Sequence, residues 1–169
     1  MPLRDTQVAL TVRANLDSAL DLQSRVAALN FSRGFSLDDG TGAGQADKIW
    51  SDTRTLTASA NEDLDLAGVL TDAFGAVITF VKVKGIFVAA AAGNTNNVVV
   101  GAAAATQFVG PFGAATHTVA VAPGGFFAIC RSDATGWAVG AGASDFLRIA
   151  NSAGGTSVTY DIVLLGTSA

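Results

Sequence analysis

Apolar and polar residues alternate at every second position in several separate segments of the chain. The alternation covers residues 31–37, 77–83, 119–129 and 158–162. This period is typical of β-strands that bury one face. Clusters rich in glycine, aspartate, serine and proline, where tight turns are expected, interrupt the pattern at residues 38–42, 123–125, 133–136 and 152–155. Many short strands joined in this way predict an all-β fold, a β-sandwich that is jelly-roll-like.

The N-terminal residues 1–30 are predicted to form an extended arm, or first strands, ahead of a sandwich domain over residues 31–169. Residues 17–30 fit two structures. A helix that begins behind an Asp17 cap would place three apolar residues on one face, namely Leu16, Leu20 and Ala27. The leucines on either side of Asp21 fit a strand equally well. The pattern leaves helix and strand open.

The turn sequence Pro123-Gly124-Gly125 predicts a hairpin that pairs Ala122 with Phe126. One face of that hairpin would hold Val119, Val121, Phe127 and Ile129. The other face would hold Thr118, Ala120, Ala122, Phe126, Ala128 and Cys130. Because both faces are apolar, we expect this strand pair to lie between two layers, or between one sheet and a neighbouring subunit.

Charge is distributed unevenly along the 169 residues. Half of the chain is hydrophobic, 14 % is charged, and no Lys, Arg, Asp or Glu occurs between Lys84 and Arg131. Since charged side chains normally cover the solvent face of strands, we expect another subunit to cover part of this region. A homo-oligomer is predicted, and its interface is assigned to Thr118, Ala120, Val121, Ala122, Phe126 and Ala128. The Ala- and Gly-rich residues 102–115 fit a surface loop or such a contact equally well.

Several classes of function are excluded by composition. A net charge of -4 argues against general affinity for nucleic acid. The single cysteine rules out an intrachain disulfide and a Cys-rich zinc module. No apolar run reaches the length of about 20 residues that a membrane span needs, and no targeting segment is visible at the N-terminus. We therefore expect synthesis in the cytoplasm and no membrane partner.

Catalysis has few candidate residues. His117 is the only histidine, and the predicted hairpin places it on the face opposite Cys130, which argues against a nucleophilic pair. The glycine cluster at residues 40–45 lacks the Gly-Lys-Ser/Thr ending of a phosphate loop and the spacing of a dinucleotide fingerprint. It is interpreted as a sharply turned connector. No enzyme activity and no cofactor are predicted.

Two candidate binding sites remain, one for calcium and one for a glycan. Asn61, Asp63, Asp65 and Asp72 fall at relative positions one, three, five and twelve of a calcium loop, but Leu66 occupies the sixth position, where glycine is usual. The alternation of these residues with Leu64 and Leu66 also fits the solvated face of an edge strand. Trp137, beside the turn at Gly136, is the candidate aromatic for stacking against a glycan.

Three further stretches are informative together, although none is a chemical motif. They read GTGAGQADKIWSDTRTL at residues 40–56, DLDLAG at residues 63–68 and AGNTNNVVVG at residues 92–101. With them, the chain from residue 31 onward resembles a family of small virion structural proteins of tailed bacteriophages and prophages. The resemblance implies a β-rich head decoration or cement protein on the capsid surface, partnered by the major capsid protein or other virion proteins, and it favours a trimer as the oligomer. The alternative is a tail or head-fibre module that binds a host receptor or polysaccharide.

Overall fold

The computed structural model describes residues 2–19 and 21–169. All regular secondary structure in these ranges is β-strand. The strands are β1 (Thr6–Ala19), β2 (Ser24–Leu37), β3 (Lys48–Leu56), β4 (Asn61–Asp65), β5 (Lys82–Ala90), β6 (Val98–Gly101), β7 (Thr118–Val121), β8 (Phe126–Cys130), β9 (Trp137–Ala138), β10 (Phe146–Asn151) and β11 (Val158–Thr167). The prediction of an all-β fold is therefore confirmed.

Strands β3 to β11 form two antiparallel sheets. The four-stranded sheet has the order β4-β10-β6-β7, and the five-stranded sheet has the order β3-β11-β5-β8, with the short β9 also paired to β5. The pairings are nested along the chain: β3 pairs with β11, β4 with β10, β5 with β8 and β6 with β7. Buried side chains of both sheets share one core, so the body is a β-sandwich.

The core follows from the alternation that the sequence shows. Along β11, Val158, Tyr160, Ile162 and Leu164 are buried, while the side chain of Asp161 is exposed on the other face. The inner faces of β5, β6 and β10 contribute apolar side chains in the same way. Removing this apolar surface from water is the main driving force that holds the sheets together.

Strands β7 and β8 do not form the predicted hairpin. β7 pairs with β6 and β8 pairs with β5, so the turn at residues 122–125 carries the chain from one sheet to the other. This corner is fastened to the end of β5, because the Gly124 N–H donates to the Ala90 carbonyl (3.1 Å) and the Ala90 N–H donates to the Gly125 carbonyl (2.9 Å). The hairpin prediction is wrong because alternation determines which face of a strand is buried but not which strand lies beside it.

Strands β1 and β2 make a third, separate sheet, which we call the arm. They pair from Thr6 and Leu37 at the base to Ala19 and Ser24 at the tip, and at about 3.3 Å per residue the arm is about 46 Å long. Of the two structures that fitted residues 17–30, the strand is the one present. The arm also extends beyond the predicted boundary at residue 30, and Leu20 lies outside the described residues.

A buried lysine ties the base of the arm to the sandwich. Lys84 lies where the β5–β11 register shifts, and its Nζ donates to the carbonyl oxygens of Gly42 (2.5 Å) and Gln45 (2.7 Å) in the connection between β2 and β3. Burial lowers the pKa of Lys84. The two carbonyls supply the polar partners that a buried ammonium requires.

Candidate functional site

The arm has one apolar and one polar face. Residues directly opposite each other in an antiparallel pair point to the same side, so the register of Val8 with Phe35 and of Val12 with Phe31 brings these side chains together. The apolar face carries Val8, Leu10, Val12, Leu16, Leu29, Phe31 and Phe35. The polar face carries Gln7, Thr11, Arg13, Asn15, Asp17, Asn30, Ser32 and Ser36.

Exposure of the apolar face increases from the base of the arm to its tip. Val8 and Phe35 are half-buried at the base, whereas Leu29 is 55 % exposed and Leu16 is 74 % exposed. A two-stranded ribbon by itself is at best marginally stable in water, and a continuous exposed apolar face marks an interaction surface. The arm is therefore a candidate binding element.

The base of the arm shows what its apolar face packs against. Val8 and Phe35 contact a small cluster that includes Leu165 of β11 and Phe87 of β5. Between the arm and the outer face of the five-stranded sheet lies a groove of about 1010 Å³. Phe126 of β8 also lines this groove. It extends the apolar surface of the sheet away from Leu165, where the base of the arm packs.

The outer face of the five-stranded sheet is almost free of charge along β11, β5 and β8. Its successive cross-strand rows are Asp161–Ala89–Phe126, Val163–Phe87–Ala128 and Leu165–Gly85–Cys130. Asp161 is the one charged residue in these rows, and Phe126 is 69 % exposed. We call the exposed part of this surface, around Ala89, Phe126 and Ala128, the sheet patch.

The predicted interface residues separate into three places. Phe126 and Ala128 belong to the sheet patch, and Thr118 and Ala120 are exposed on β7 in the other sheet. Ala122 is exposed at the corner between the sheets. Val121 is 4 % exposed and belongs to the core, so its assignment to the interface is corrected. Its side chain points inward because it shares the inner face of β7 with Val119.

The residues of the candidate calcium loop have other roles in the structure. Asp63 forms a bidentate ion pair with Arg148 on the adjacent strand, with both N–O distances at 2.7 Å. Asp65 accepts the N–H of Ala67 (2.9 Å), and Asp72 accepts two backbone N–H groups in its own turn. Asn61 is exposed at the start of β4, which is an edge strand. In the described parts of the chain, no group of three or more His, Cys, Asp or Glu side chains is placed to hold a metal ion.

The other candidate residues lie apart from one another. Trp137 is half-buried against the core. The Arg131 guanidinium carbon lies over its ring, 5.5 Å from the ring centroid, and forms a cation–π contact with it. His117 Nδ1 is hydrogen-bonded to the Phe112 carbonyl (2.8 Å) just before β7. Cys130 ends β8 in the other sheet, where it is exposed.

The glycine-rich connection at residues 40–45 is a sharp turn, as interpreted from the sequence. The Gly42 N–H donates to the Gln45 side chain at 2.9 Å, and two carbonyl oxygens of the connection accept from Lys84. A phosphate-binding loop presents N–H groups to its ligand. This connection presents carbonyl groups to a buried cation, which is the opposite polarity.

Two features of the structure were not predicted from the sequence, namely the apolar face of the arm and a partly buried polar network. The signal for the arm is present, because apolar residues occupy positions 8, 10, 12 and 16 with polar or small residues between most of them. In the network, Glu62 of β4 accepts hydrogen bonds from Tyr160 and from Arg54, at 2.5 Å each. No local pattern brings these three side chains together, since they come from three strands of two sheets.

The described residues include no helix long and apolar enough to cross a membrane. Comparisons of the chain with protein-family models, with curated protein sequences and with solved structures find no match.

Proposed function

We propose that the protein is a non-enzymatic structural subunit of the virion of a tailed bacteriophage. In this proposal it is a head decoration or cement protein on the capsid surface, and it acts as a homo-oligomer, with a trimer favoured. Its partners are the major capsid protein or other virion proteins. The alternative place in the particle is a tail or head fibre, where the protein would bind a host receptor or polysaccharide.

The exposed apolar face of the arm is the observation that carries the proposal. Seven apolar side chains lie in register along this face, and among them Leu16 and Leu29 remain 74 % and 55 % exposed. Leaving such a surface in water is costly, and each large aliphatic side chain that becomes covered contributes about 1.5–3 kcal/mol. In a virus particle, neighbouring subunits would keep this apolar face covered permanently.

We further infer that the sandwich is a jelly roll. A jelly roll is an eight-stranded double sheet that contains two Greek keys, and it is common in viral capsid proteins. The nested pairing of β3 with β11, β4 with β10, β5 with β8 and β6 with β7 supports this inference. Because one fold serves many functions, this likeness only adds to the argument from the arm.

A cement protein stabilises a capsid by mass action. A subunit that binds the assembled shell and not the free capsid protein shifts the equilibrium away from disassembly. The apolar, nearly uncharged sheet patch suits permanent contacts of this kind, because obligate interfaces are more apolar than transient ones.

The test uses the phage or prophage that encodes the chain. We expect mass spectrometry to detect the protein in purified particles, and deletion of its gene to lower the temperature at which heads release their DNA. Adding the purified protein back should restore that temperature. Absence of the protein from purified particles would refute the proposal. If the protein is present, but deletion abolishes adsorption to the host and leaves head stability unchanged, the fibre alternative replaces the decoration role.

A further inference from the structure

We infer that the arm of one copy packs its apolar face on the sheet patch of a second copy of the same chain. This inference rests on the proposed function, since it names the contact that would join subunits of the particle. The contact joins two different surfaces, the arm of one copy and the sheet patch of the other, and not two identical arms.

The chain already shows that the two surfaces fit chemically. At the base of the arm, Val8 and Phe35 pack against the cluster that contains Phe87 on the outer face of the five-stranded sheet. Beyond Leu10 the arm continues for nine further residues of β1, about 30 Å, which is close to the diameter of a small domain. Leu29 and Leu16 on this part of the arm stay exposed, so their apolar face is free to contact the equivalent sheet of another copy.

Charge favours contact between the arm of one copy and the body, residues 38–169, of another copy. Residues 6–37 carry three arginines against two aspartates, a net charge of +1, whereas residues 38–169 carry six basic against eleven acidic residues, a net charge of -5. Oppositely charged surfaces attract each other during association. Two bodies would repel each other, and two arms have like net charge.

The same complementarity holds within the two surfaces. Arg33 shares the apolar face of the arm, where its guanidinium carbon lies 4.9 Å from the Phe31 ring centroid. Arg25 lies on this face nearer the tip. The sheet carries Asp161 at the border of its patch, as the one charged residue of its cross-strand rows. An arriving arm thus brings cations to a surface whose one charge is an anion.

Arm-on-sheet contact is heterologous, because the surface that each copy donates differs from the surface that it offers. Such contacts close into a ring when the rotation between copies permits. A closed ring in which every copy donates one arm and accepts one arm agrees with the proposed trimer.

The first experiment compares two lysine substitutions in β2 by sedimentation equilibrium. Leu29 and Val26 are 55 % and 62 % exposed and lie on opposite faces of the arm, so they form a matched pair. We expect Leu29→Lys to weaken self-association at least about 30-fold, which is the effect of losing a hot spot, and Val26→Lys to change it less than about 3-fold. Equal effects of the two substitutions would overturn the inference.

The second experiment tests the acceptor surface. Phe126→Lys should weaken self-association as strongly as Leu29→Lys, whereas Ala120→Lys, at an exposed site on the other sheet, should leave it unchanged. Both Leu29 and Phe126 are exposed, so we expect the circular dichroism spectrum and melting temperature of each variant to match those of the wild type.

Mixing the two defective variants separates arm-on-sheet contact from contact between arms. The Leu29→Lys copy keeps an intact sheet patch and the Phe126→Lys copy keeps an intact arm, so an equimolar mixture should form a one-to-one heterodimer that neither variant forms alone. If the wild type associates and the mixture does not, the arm-on-sheet contact is wrong. A wild type that stays monomeric at all concentrations, yet is present in purified particles, would overturn this inference and leave the proposed function standing.

Discussion

The Tyr160 hydroxyl donates a hydrogen bond to Glu62 Oε1 at 2.5 Å, and this bond joins the five-stranded sheet to the four-stranded sheet. Glu62 also accepts a bond from Arg54 Nη1 at 2.5 Å, so its charge is paired. Burial and the neighbouring Glu62 carboxylate raise the pKa of Tyr160. The bond is a polar link between two layers that otherwise meet through apolar side chains.

We expect Tyr160→Phe to lower the free energy of unfolding by about 1–2 kcal/mol, because it removes a hydrogen bond to a charged group in a buried position. Urea denaturation measures the change. Thr159→Val is the control, since it removes a hydroxyl whose bond to Thr55 lies at the exposed surface of the same sheet, and surface changes of this kind stay within about 0.5 kcal/mol. Equal losses for the two variants would show that the bond to Glu62 contributes nothing particular.

The same residue predicts how stability changes in alkali. Since the pKa of Tyr160 is higher in the folded than in the unfolded chain, the folded state holds the proton more tightly. This contribution is fully present below the unfolded pKa of about 10 and is lost as the pH rises above it. Tyr160 is the only tyrosine, so the ultraviolet spectrum of tyrosinate reports this residue alone. We expect tyrosinate to appear together with unfolding, and Tyr160→Phe to lose stability less steeply above pH of about 10. Tyrosinate formation in a fully folded protein would contradict this account.

Lys84 supports the base of the arm in a way that a substitution can test. Lys84→Met removes the donor from the part-buried carbonyls of Gly42 and Gln45, and a buried group left unsatisfied costs about 1–3 kcal/mol. We therefore expect a clear loss of stability in thermal denaturation, together with faster hydrogen exchange at residues 38–47. Lys82→Met, two residues away and half-buried, is the control and should have little effect. The role of Lys84 would be refuted if both variants melted alike.

Period-two alternation predicted the fold class and the buried faces of β7 and β8 correctly because both depend on local sequence, whereas residues 77–81 alternate in the same way and form no strand. Val119, Phe127 and Ile129 pack against the core, and Thr118, Ala120 and Ala128 are exposed, as the two predicted faces require. The alternation did not reveal that β7 and β8 lie in different sheets. That choice depends on which distant strands, β6 and β5, offer the better partner, and a single sequence does not contain this information in local form.

The uncharged stretch between Lys84 and Arg131 has two explanations in the structure. Part of it forms β5 and β6, whose side chains fill the core of the sandwich and need no charge. Another part, which includes Phe126 and Ala128, lies on the exposed sheet patch. Composition alone does not separate these cases, because a core strand and a covered surface strand are equally apolar. The apolar face of the arm is only partly visible in the sequence, because positions 8, 10, 12 and 16 show it along β1 while the side chains that β2 adds follow from the pairing.

The acidic residues of β4 and the following turn predict no dependence of stability on calcium. Asp63 is paired with Arg148, and Asp65 and Asp72 accept backbone N–H groups, so a cation would have to displace these partners. We expect calorimetry to give the same melting temperature with added calcium and with a chelator. Asp63→Asn should instead lower the free energy of unfolding by about 1 kcal/mol in both conditions, through loss of a partly exposed ion pair. A rise in melting temperature with calcium that Asp63→Asn abolishes would restore the calcium site.

The adjacent residues Val121 and Ala120 give the sharpest contrast between core and surface. Val121 is 4 % exposed and belongs to the core, whereas Ala120 is exposed on the outer face of β7. Val121→Asp places a carboxylate in an apolar core, which costs several kcal/mol without a paired cation, and net stabilities are only about 5–15 kcal/mol. We expect this variant to lose most of its cooperative unfolding transition, while Ala120→Asp changes the free energy of unfolding by less than about 0.5 kcal/mol. Circular dichroism during urea denaturation distinguishes the two outcomes. A fully folded Val121→Asp protein with impaired self-association would instead place Val121 at a subunit interface, and the assignment of β7 to the four-stranded sheet would have to be revised.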